Sequence, residues 1–573
     1  MRNILTIALL CLWVQEACAQ TCLFEHGKSV YTIVVQGDAS LSEQTAANEL
    51  QTYIQRVGGV RLPIQTDTGT TREQCIYVGW TQRTGAKRPA DSDETYTYRT
   101  QGSNLYIYGG KDRGTMYGVY AFLERELGVH WFTSAYTQVP KLDAYTLEEL
   151  NHSESPVIAL RLNFYNDALR HHDWIAHNLL NEQHTIPPVK KYGRVKVYWG
   201  IHTFQTLIPA EKYFKQHPEY FSVYKGRRSD KAQLCLSNEN MRHELTENLL
   251  NIIKEKPGYW CYDVSQNDNS NPCECGACEL LVRKYGGQSG AMIWFVNQVA
   301  KEVKRVYPNV CIGTFAYRYT RQAPTSSIRP ADNVVVRLCD IECCMAHPLE
   351  GGCEQNRSFV SDMNDWKRKT KNIYIWDYTT GFRNYLLPFP NFDVLAENYQ
   401  YFSRSNVIGI MEEGAHDAPW NEFSELKQWL IAKLMWNPYQ SVDSLASVFI
   451  NGYYGAAAPY IKMYYDLCQK QITDDVHFTI KIDWNSELYD DAFVNEGIEL
   501  MNKAIAAAKG RGTEKRVKRI AAQLYYLKLR RNVAASATDG TLQQFCDIIK
   551  GDSTIMREFN YPLNKLLKDI GYQ

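Results

Sequence analysis

Two stretches of this chain end an apolar run in acid side chains. VIGIMEEG (407–414) closes on the adjacent carboxylates Glu412 and Glu413 before a glycine, and YWCYDVSQND (259–268) closes on Ser265, Gln266, Asn267 and Asp268. An apolar strand that delivers an acid at its carboxyl end is how α/β barrels place catalysts. Two such ends predict a paired-carboxylate site, in which one acid donates a proton to a leaving group and the other attacks or stabilises. The expected pair is Asp268 with Glu412. Adjacent strand residues point to opposite sides, so only one of Glu412 and Glu413 faces a barrel axis, and spacing alone leaves that choice open. Further strand ends carry Trp199, His202, Tyr317, Tyr319, Asp340, Trp376, Asp377 and Tyr378. With Asn267 they give an aromatic and acidic rim, the side chains that stack on sugar rings and hydrolyse the bonds between them. Each has a structural reading beside the functional one: Asp377 as a helix cap, His202 as a hydrogen-bonded core residue, Trp199 as packing.

The cysteines form a second constellation. Of 16, Cys11 and Cys18 fall in an N-terminal leader. Cys273, Cys275 and Cys278 make a C-x-C-x-x-C cluster in a Pro/Asn-rich loop just after Asp268. That spacing suits three thiolates on one structural zinc, with no fourth ligand identifiable; disulfides or free buried thiols are the other readings. A second cluster, Cys339, Cys343, Cys344 and Cys353 with His347, follows another strand, and disulfides could explain either cluster. No cofactor is expected for catalysis.

The elements that must position these residues fall into three regions. Residues 20–150 read as a small α+β domain: a β-branched run at 31–35, a helix ending at Gly58-Gly59, a strand at 75–78, a hairpin about Gly102-Ser103-Asn104, and a helix after Gly110. Residues 151–440 contain seven continuous apolar strand candidates, at 157–164, 195–199, 260–264, 310–317, 334–338, 373–376 and 407–411. Strands of this kind are buried on both faces, and alternation with helices implies parallel pairing. The expected fold is therefore α/β, a (β/α)8-type barrel, its eighth strand near Trp174 or within 233–236. From 441 to 573 helical periodicity takes over, giving an all-helical C-terminal region.

Residues 1–19 read as a removable signal peptide, with Arg2, an apolar run over 4–14 too short to span a bilayer, and Ala17-Cys18-Ala19 before Gln20. An exported protein is expected, in the periplasm or at the outer surface of a bacterium, with no later membrane span. Its 63 basic residues balance 63 acidic ones without a basic run, which excludes nucleic acid and anionic lipid as natural partners. Aromatics make up 13% of the chain, led by 39 Tyr and 13 Trp, in keeping with a glycan or glycoprotein substrate.

Longer motifs carry a family resemblance. RGTMYGVYAFLERELGVHWF (113–132) is similar to the accessory domain that precedes the barrel in family 20 hexosaminidases and α-glucuronidases. GIHTFQTLIPAEKYFKQHPEYF (200–221), QLCLSN (233–238), SQND with its C-x-C-x-x-C, LCDIECCMAHPL (338–349), IWDYTTGFRNYLLPFPNFDVLAENYQYF (375–402) and GIMEEG (409–414) resemble glycoside hydrolase family 163, first catalogued as domain of unknown function 4838. The resemblance implies a retaining endo-β-N-acetylglucosaminidase that cuts the chitobiose core of complex N-glycans, with substrate assistance from the 2-acetamido group. Glu412 is then the implied acid/base and Asp268 the orienting carboxylate, with the Glu412/Glu413 choice and the division of roles still open. Two other readings stand beside it. An α-glucuronidase needs a basic clamp, for which Arg318 and Arg383 are candidates; a non-catalytic glycan-binding protein would use the same aromatics without turnover.

Overall fold

A computed structural model describes residues 21–67, 74–85, 87–183, 189–550, 558 and 563–569. The signal peptide expected over residues 1–19 lies outside the described residues. The chain forms two compact units, one comprising the described residues up to Val129 with Val139–Glu154, the other His130–Gln138 and everything from Ser155 onward.

In the first unit a six-stranded mixed sheet runs in the order Asn151–Glu154, Tyr96–Gln101, Asn104–Gly109, Cys75–Val78, Thr32–Val35, Ile64–Thr66. The hairpin expected about residues 102–104 is present, its strands paired antiparallel from Tyr96↔Gly109 to Gln101↔Asn104. Helix Leu41–Gly58 starts in a capping box, with the Ser40 hydroxyl accepting from the Glu43 amide and the Glu43 carboxylate accepting from the Ser40 amide. It stops at Gly59, whose φ of 76° a side chain would resist.

The second unit is built on eight parallel strands, named here in chain order: β1 (Leu160–Phe164), β2 (Glu182–Gln183), β3 (Lys196–Trp199), β4 (Cys261–Asp263), β5 (Cys311–Ala316), β6 (Val334–Cys339), β7 (Ile373–Tyr378) and β8 (Val407–Glu413). Their order is β1-β8-β7-β6-β5-β4-β3-β2, a nearly closed barrel with its seam between β1 and β2. Side chains bridge that seam: the Asn181 amide accepts from the Arg161 backbone N–H at 2.9 Å and donates to the Ala159 carbonyl at 2.7 Å. The eighth strand is therefore neither of the segments expected from apolar runs. Trp174 lies on the helix His172–His177, and Leu234 makes only an isolated bridge with Phe221. Strand β2 is two polar residues, both buried, which no hydropathy pattern marks.

A polar layer fills the lower barrel. Tyr198 on β3 donates to Asp263 on β4, Tyr374 on β7 donates to Glu182 on β2, and the guanidinium of Arg337 on β6 lies 3.7 Å over the Tyr198 ring. Gly313 on β5 is required here: a Cβ at that position would fall 1.6 Å from the Tyr198 hydroxyl oxygen. After the barrel come long helices, among them Val442–Tyr454, Ala458–Lys470, Asp491–Ala508 and Glu514–Arg531, whose buried faces join one hydrophobic core with β1, β6, β7 and β8.

Candidate active site

The carboxyl ends of the barrel strands open into a cavity of about 560 Å³. Because side chains alternate across a strand, the residues that reach it share one phase: Phe164, Phe315, Tyr317, Cys339, Trp376, Tyr378 and Glu413. Glu413 is 8% exposed and accepts the indole N–H of Trp376 at 2.7 Å. Burial pushes its carboxyl up to about 8, the Trp376 bond opposes this, and the negative charges of Glu558, Asp268 and Asp417 add to the rise. It is an acid that keeps its proton at neutral pH, in a pocket walled by aromatic rings.

Asp268 lines the same cavity from the loop after β4. Its carboxylate accepts from the Tyr317 hydroxyl at 3.1 Å and lies 3.6 Å from the Arg318 guanidinium, which stacks over the Tyr317 ring. His202, at φ 54°, is held by a 2.7 Å contact of its Nδ1 with the Gln266 carbonyl. Asp268 and His202 also line a second cleft of about 370 Å³ with Gln205, Glu211, Lys231 and Asn267, so open space continues on the far side of Asp268.

The remaining residues expected at the rim divide. Tyr317, Trp376 and Tyr378 line the cavity, Trp376 and Tyr378 with rings stacked at 21°. Asn267 organises its loop, accepting from the Gln205 amide and donating to the Ala232 carbonyl, and reaches only the second cleft. Trp199 packs 6.0 Å from the Tyr262 ring within the barrel wall. Glu412 and Asp377 have the opposite strand phase from Glu413. Both are buried on the helix side of the sheet, with Glu412 beside Tyr399 of the helix Phe392–Ser403. The expected pairing of Asp268 with Glu412 across the rim thus meets a different geometry, in which Glu413 shares the cavity with Asp268.

The family described as Domain of unknown function (DUF4838) matches residues 131–466, more than half of the 573-residue chain. The chain belongs to the DUF4838 family. Glycosyl hydrolase family 67 N-terminus matches residues 18–122 of this DUF4838 protein. No curated protein matches it. Among solved structures it is similar to a family GH115 4-O-methyl-α-glucuronidase, BtGH115A, described as having specificity for decorated arabinogalactans: 12% identity over 93% of this chain and 78% of that one, TM-score 0.61. A family 89 glycoside hydrolase from Clostridium perfringens, solved with 2-acetamido-1,2-dideoxynojirmycin, gives 11% identity, coverage of 88% and 64%, and TM-score 0.54. CpGH84B gives 10% identity, coverage of 94% and 96%, and TM-score 0.50. At these identities the likeness is one of fold: this DUF4838 chain has a glycoside-hydrolase-like barrel with a small N-terminal domain and a helical C-terminal region.

Several cavity residues of the DUF4838 chain carry no signal in the sequence. Glu558, Ile480 and Lys481 come from the helical region, far along the chain from Glu413, yet line the same cavity. Glu413, His416 and Glu558 bring one polar atom each within 4.8 Å of one another. His416, three residues beyond Glu413, was within reach of a reading of the strand end.

The C-x-C-x-x-C loop gains a candidate for the fourth ligand that spacing did not supply. Cys235, from the QLCLSN segment, joins Cys273, Cys275 and Cys278, with its Sγ 3.7 Å from those of Cys275 and Cys278. Sulfurs at the corners of a tetrahedron around zinc, at about 2.3 Å each, are about 3.8 Å apart, whereas a disulfide needs about 2.05 Å. The donor set fits a structural zinc.

Proposed function

We propose that this DUF4838 protein is an exported, retaining endo-β-N-acetylglucosaminidase acting on the chitobiose core of complex N-glycans. Glu413 is its acid/base and Asp268 the carboxylate that orients the substrate's 2-acetamido group. The observation that carries the reading is a buried glutamic acid, Glu413, in an aromatic cavity that also holds Asp268. The adjoining cleft supports endo action, since a chain cut internally needs room on both sides of the bond.

The chemistry follows from these positions. The acetamido carbonyl oxygen attacks the anomeric carbon while Glu413 gives its proton to the departing glycosidic oxygen. Asp268 accepts the amide N–H as positive charge grows on that nitrogen. In the second half Glu413, now ionised, takes a proton from the water that opens the cyclic intermediate, so configuration is retained. No cofactor enters. The Cys235, Cys273, Cys275 and Cys278 set holds zinc as a structural ion next to the loop that carries Asp268.

Two results test this. Incubation with a glycoprotein bearing complex biantennary chains should release glycans ending in one reducing N-acetylglucosamine, its partner staying on asparagine; mass spectrometry showing intact glycoprotein would overturn the reading. Asp268→Asn should lower that release by about a hundredfold with folding unchanged. The pH profile has a defined sign. The acid must be protonated for the first step, so kcat/KM should hold below and decline above about 8, where Glu413 ionises. A rate still rising at pH 9 would remove Glu413 from the acid role.

One observation favours a second reading. Arg318, Arg383 and Lys481 line the cavity, a basic set suited to a uronate carboxylate. An α-glucuronidase would release glucuronic acid from decorated plant polysaccharide and leave N-glycans untouched.

A further inference from the structure

We infer that Cys344, His347, Cys353 and His477 form a second structural metal site, of the Cys2His2 kind that takes zinc, fastening the loop after β6 to a loop of the helical region. The proposal goes beyond the glycosidase reading and does not depend on it. One ligand atom from each residue falls within 4.8 Å of all the others. Cys344 Sγ lies 3.6 Å from His347 Nδ1 and 3.4 Å from His477 Nδ1, and Cys353 Sγ lies 3.7 Å from His477 Nδ1. A tetrahedral ion with Zn–S of about 2.3 Å and Zn–N of about 2.05 Å sets S···N edges of about 3.6 Å. All three separations match.

Two imidazole nitrogens converge on the Cys344 sulfur, and that of His477 is shared with the Cys353 sulfur, so the four groups face one common point rather than forming separate pairs. The outer contacts are those that a metal-binding histidine uses. His347 Nε2 meets the Thr473 carbonyl at 3.1 Å, which places the proton on Nε2 and turns the Nδ1 lone pair toward the cluster. Asn356, fully buried, accepts from the Cys344 amide and donates to the Cys344 and His347 carbonyls, holding the ligand loop in shape. The Met345 amide donates to the Phe478 carbonyl at 2.8 Å, so the two loops are already aligned.

Of the residues expected in this cluster, Cys339 turns into the active-site cavity and Cys343 is buried beneath the loop, so neither is a ligand. With four protein ligands, no position is left for a catalytic water, and the role is structural. The consequence lies next door. Ile341 precedes the first ligand, Ile480 and Lys481 follow the last, and all three line the active-site cavity. The ion joins segments more than a hundred residues apart, and so fixes one wall of the pocket from the helical region.

The test is metal analysis of the purified full chain, with substitutions that address each cluster alone. Wild type should hold about two zinc ions per chain. His477→Ala should lose one and keep that of Cys235, Cys273, Cys275 and Cys278, and Cys278→Ser should do the reverse; His477→Cys, which keeps a ligand, should restore the full content. Freed of its ion, the 473–482 segment should be cut by trypsin after Lys481 about tenfold faster or more. Unchanged zinc in both His477→Ala and a Cys344→Ser/Cys353→Ser double variant would overturn the site, as would a Cys344–Cys353 disulfide found by peptide mapping. Neither readout involves substrate, so failure of the glycosidase reading leaves it intact.

Discussion

Glu413→Gln is expected to lower turnover by about 10²–10⁴-fold, the range over which a positioned acid acts, in protein that remains folded. The neighbouring Glu412→Gln is expected to cost less than about tenfold, because that side chain is sealed against the helix Phe392–Ser403 and has no face on the cavity. Burial, and after it the charge of Asp377, raises the Glu412 carboxyl well above the ordinary range, so a neutral amide of nearly the same shape is a small change there. At Glu413 the amide keeps the volume but has no proton to give. Stability separates chemistry from damage. A carboxyl at about 8 in the fold and 4.5 when unfolded opposes folding as pH rises from 4.5, fully so above about 8. Glu413→Gln lacks that penalty, so its unfolding midpoint at pH 8 should match or exceed wild type. The paired assay is turnover and urea unfolding of both variants; loss of turnover in Glu412→Gln with retention in Glu413→Gln would reverse the assignment.

That choice shows where the sequence stopped being readable. The barrel was legible because seven strands are continuous apolar runs between helices, the pattern of a sheet buried on both faces. The phase of β8 was not. Its ladder to β7 pairs Ile373 with Val407 but Tyr374 with Gly409, so Ile408 is an extra residue and counting from the strand start gives the wrong side. Strand β2 escaped because Glu182 and Gln183 are polar residues buried in the barrel, where Glu182 is stabilised by the Tyr374 hydroxyl. Asp268, Tyr317, Trp376 and Tyr378 were recoverable from strand-end position alone. Cys235, His477 and Glu558 were not: each enters its cluster from a distant loop, and a lone residue far along the chain carries no spacing to read. Hydrophobic pattern encodes elements, whereas these clusters are products of tertiary closure.

Arg337→Met is expected to destabilise the barrel by about 3–5 kcal/mol, although it removes a charge from the interior and preserves an apolar stem. Arg337 is 1% exposed, and its guanidinium lies 3.7 Å from the Tyr198 ring centroid, 4.7 Å from that of Tyr374 and 5.5 Å from that of Trp376. Burial moves Glu182 up to about 7 and Asp263 up to about 6, and in both the positive charge of Arg337 pulls against that rise. Without the guanidinium two buried carboxyls face each other's layer with no counter-charge, and at neutral pH each must take up a proton or bear the full cost of ionisation in the interior. The sign with pH follows. Both acids bind protons more tightly in the folded variant than in its unfolded chain, so its deficit should be smallest at pH 5 and grow toward pH 8. Arg337→Lys keeps the charge but loses the planar face stacked between tyrosines, and should recover only part of the stability. The layer also lies under the active-site floor: Trp376, which holds Glu413, touches the guanidinium from above. Folded Arg337→Lys should therefore show a pH limb displaced from wild type, while a purely structural role for Arg337 would lower the unfolding midpoint and leave that limb where it was.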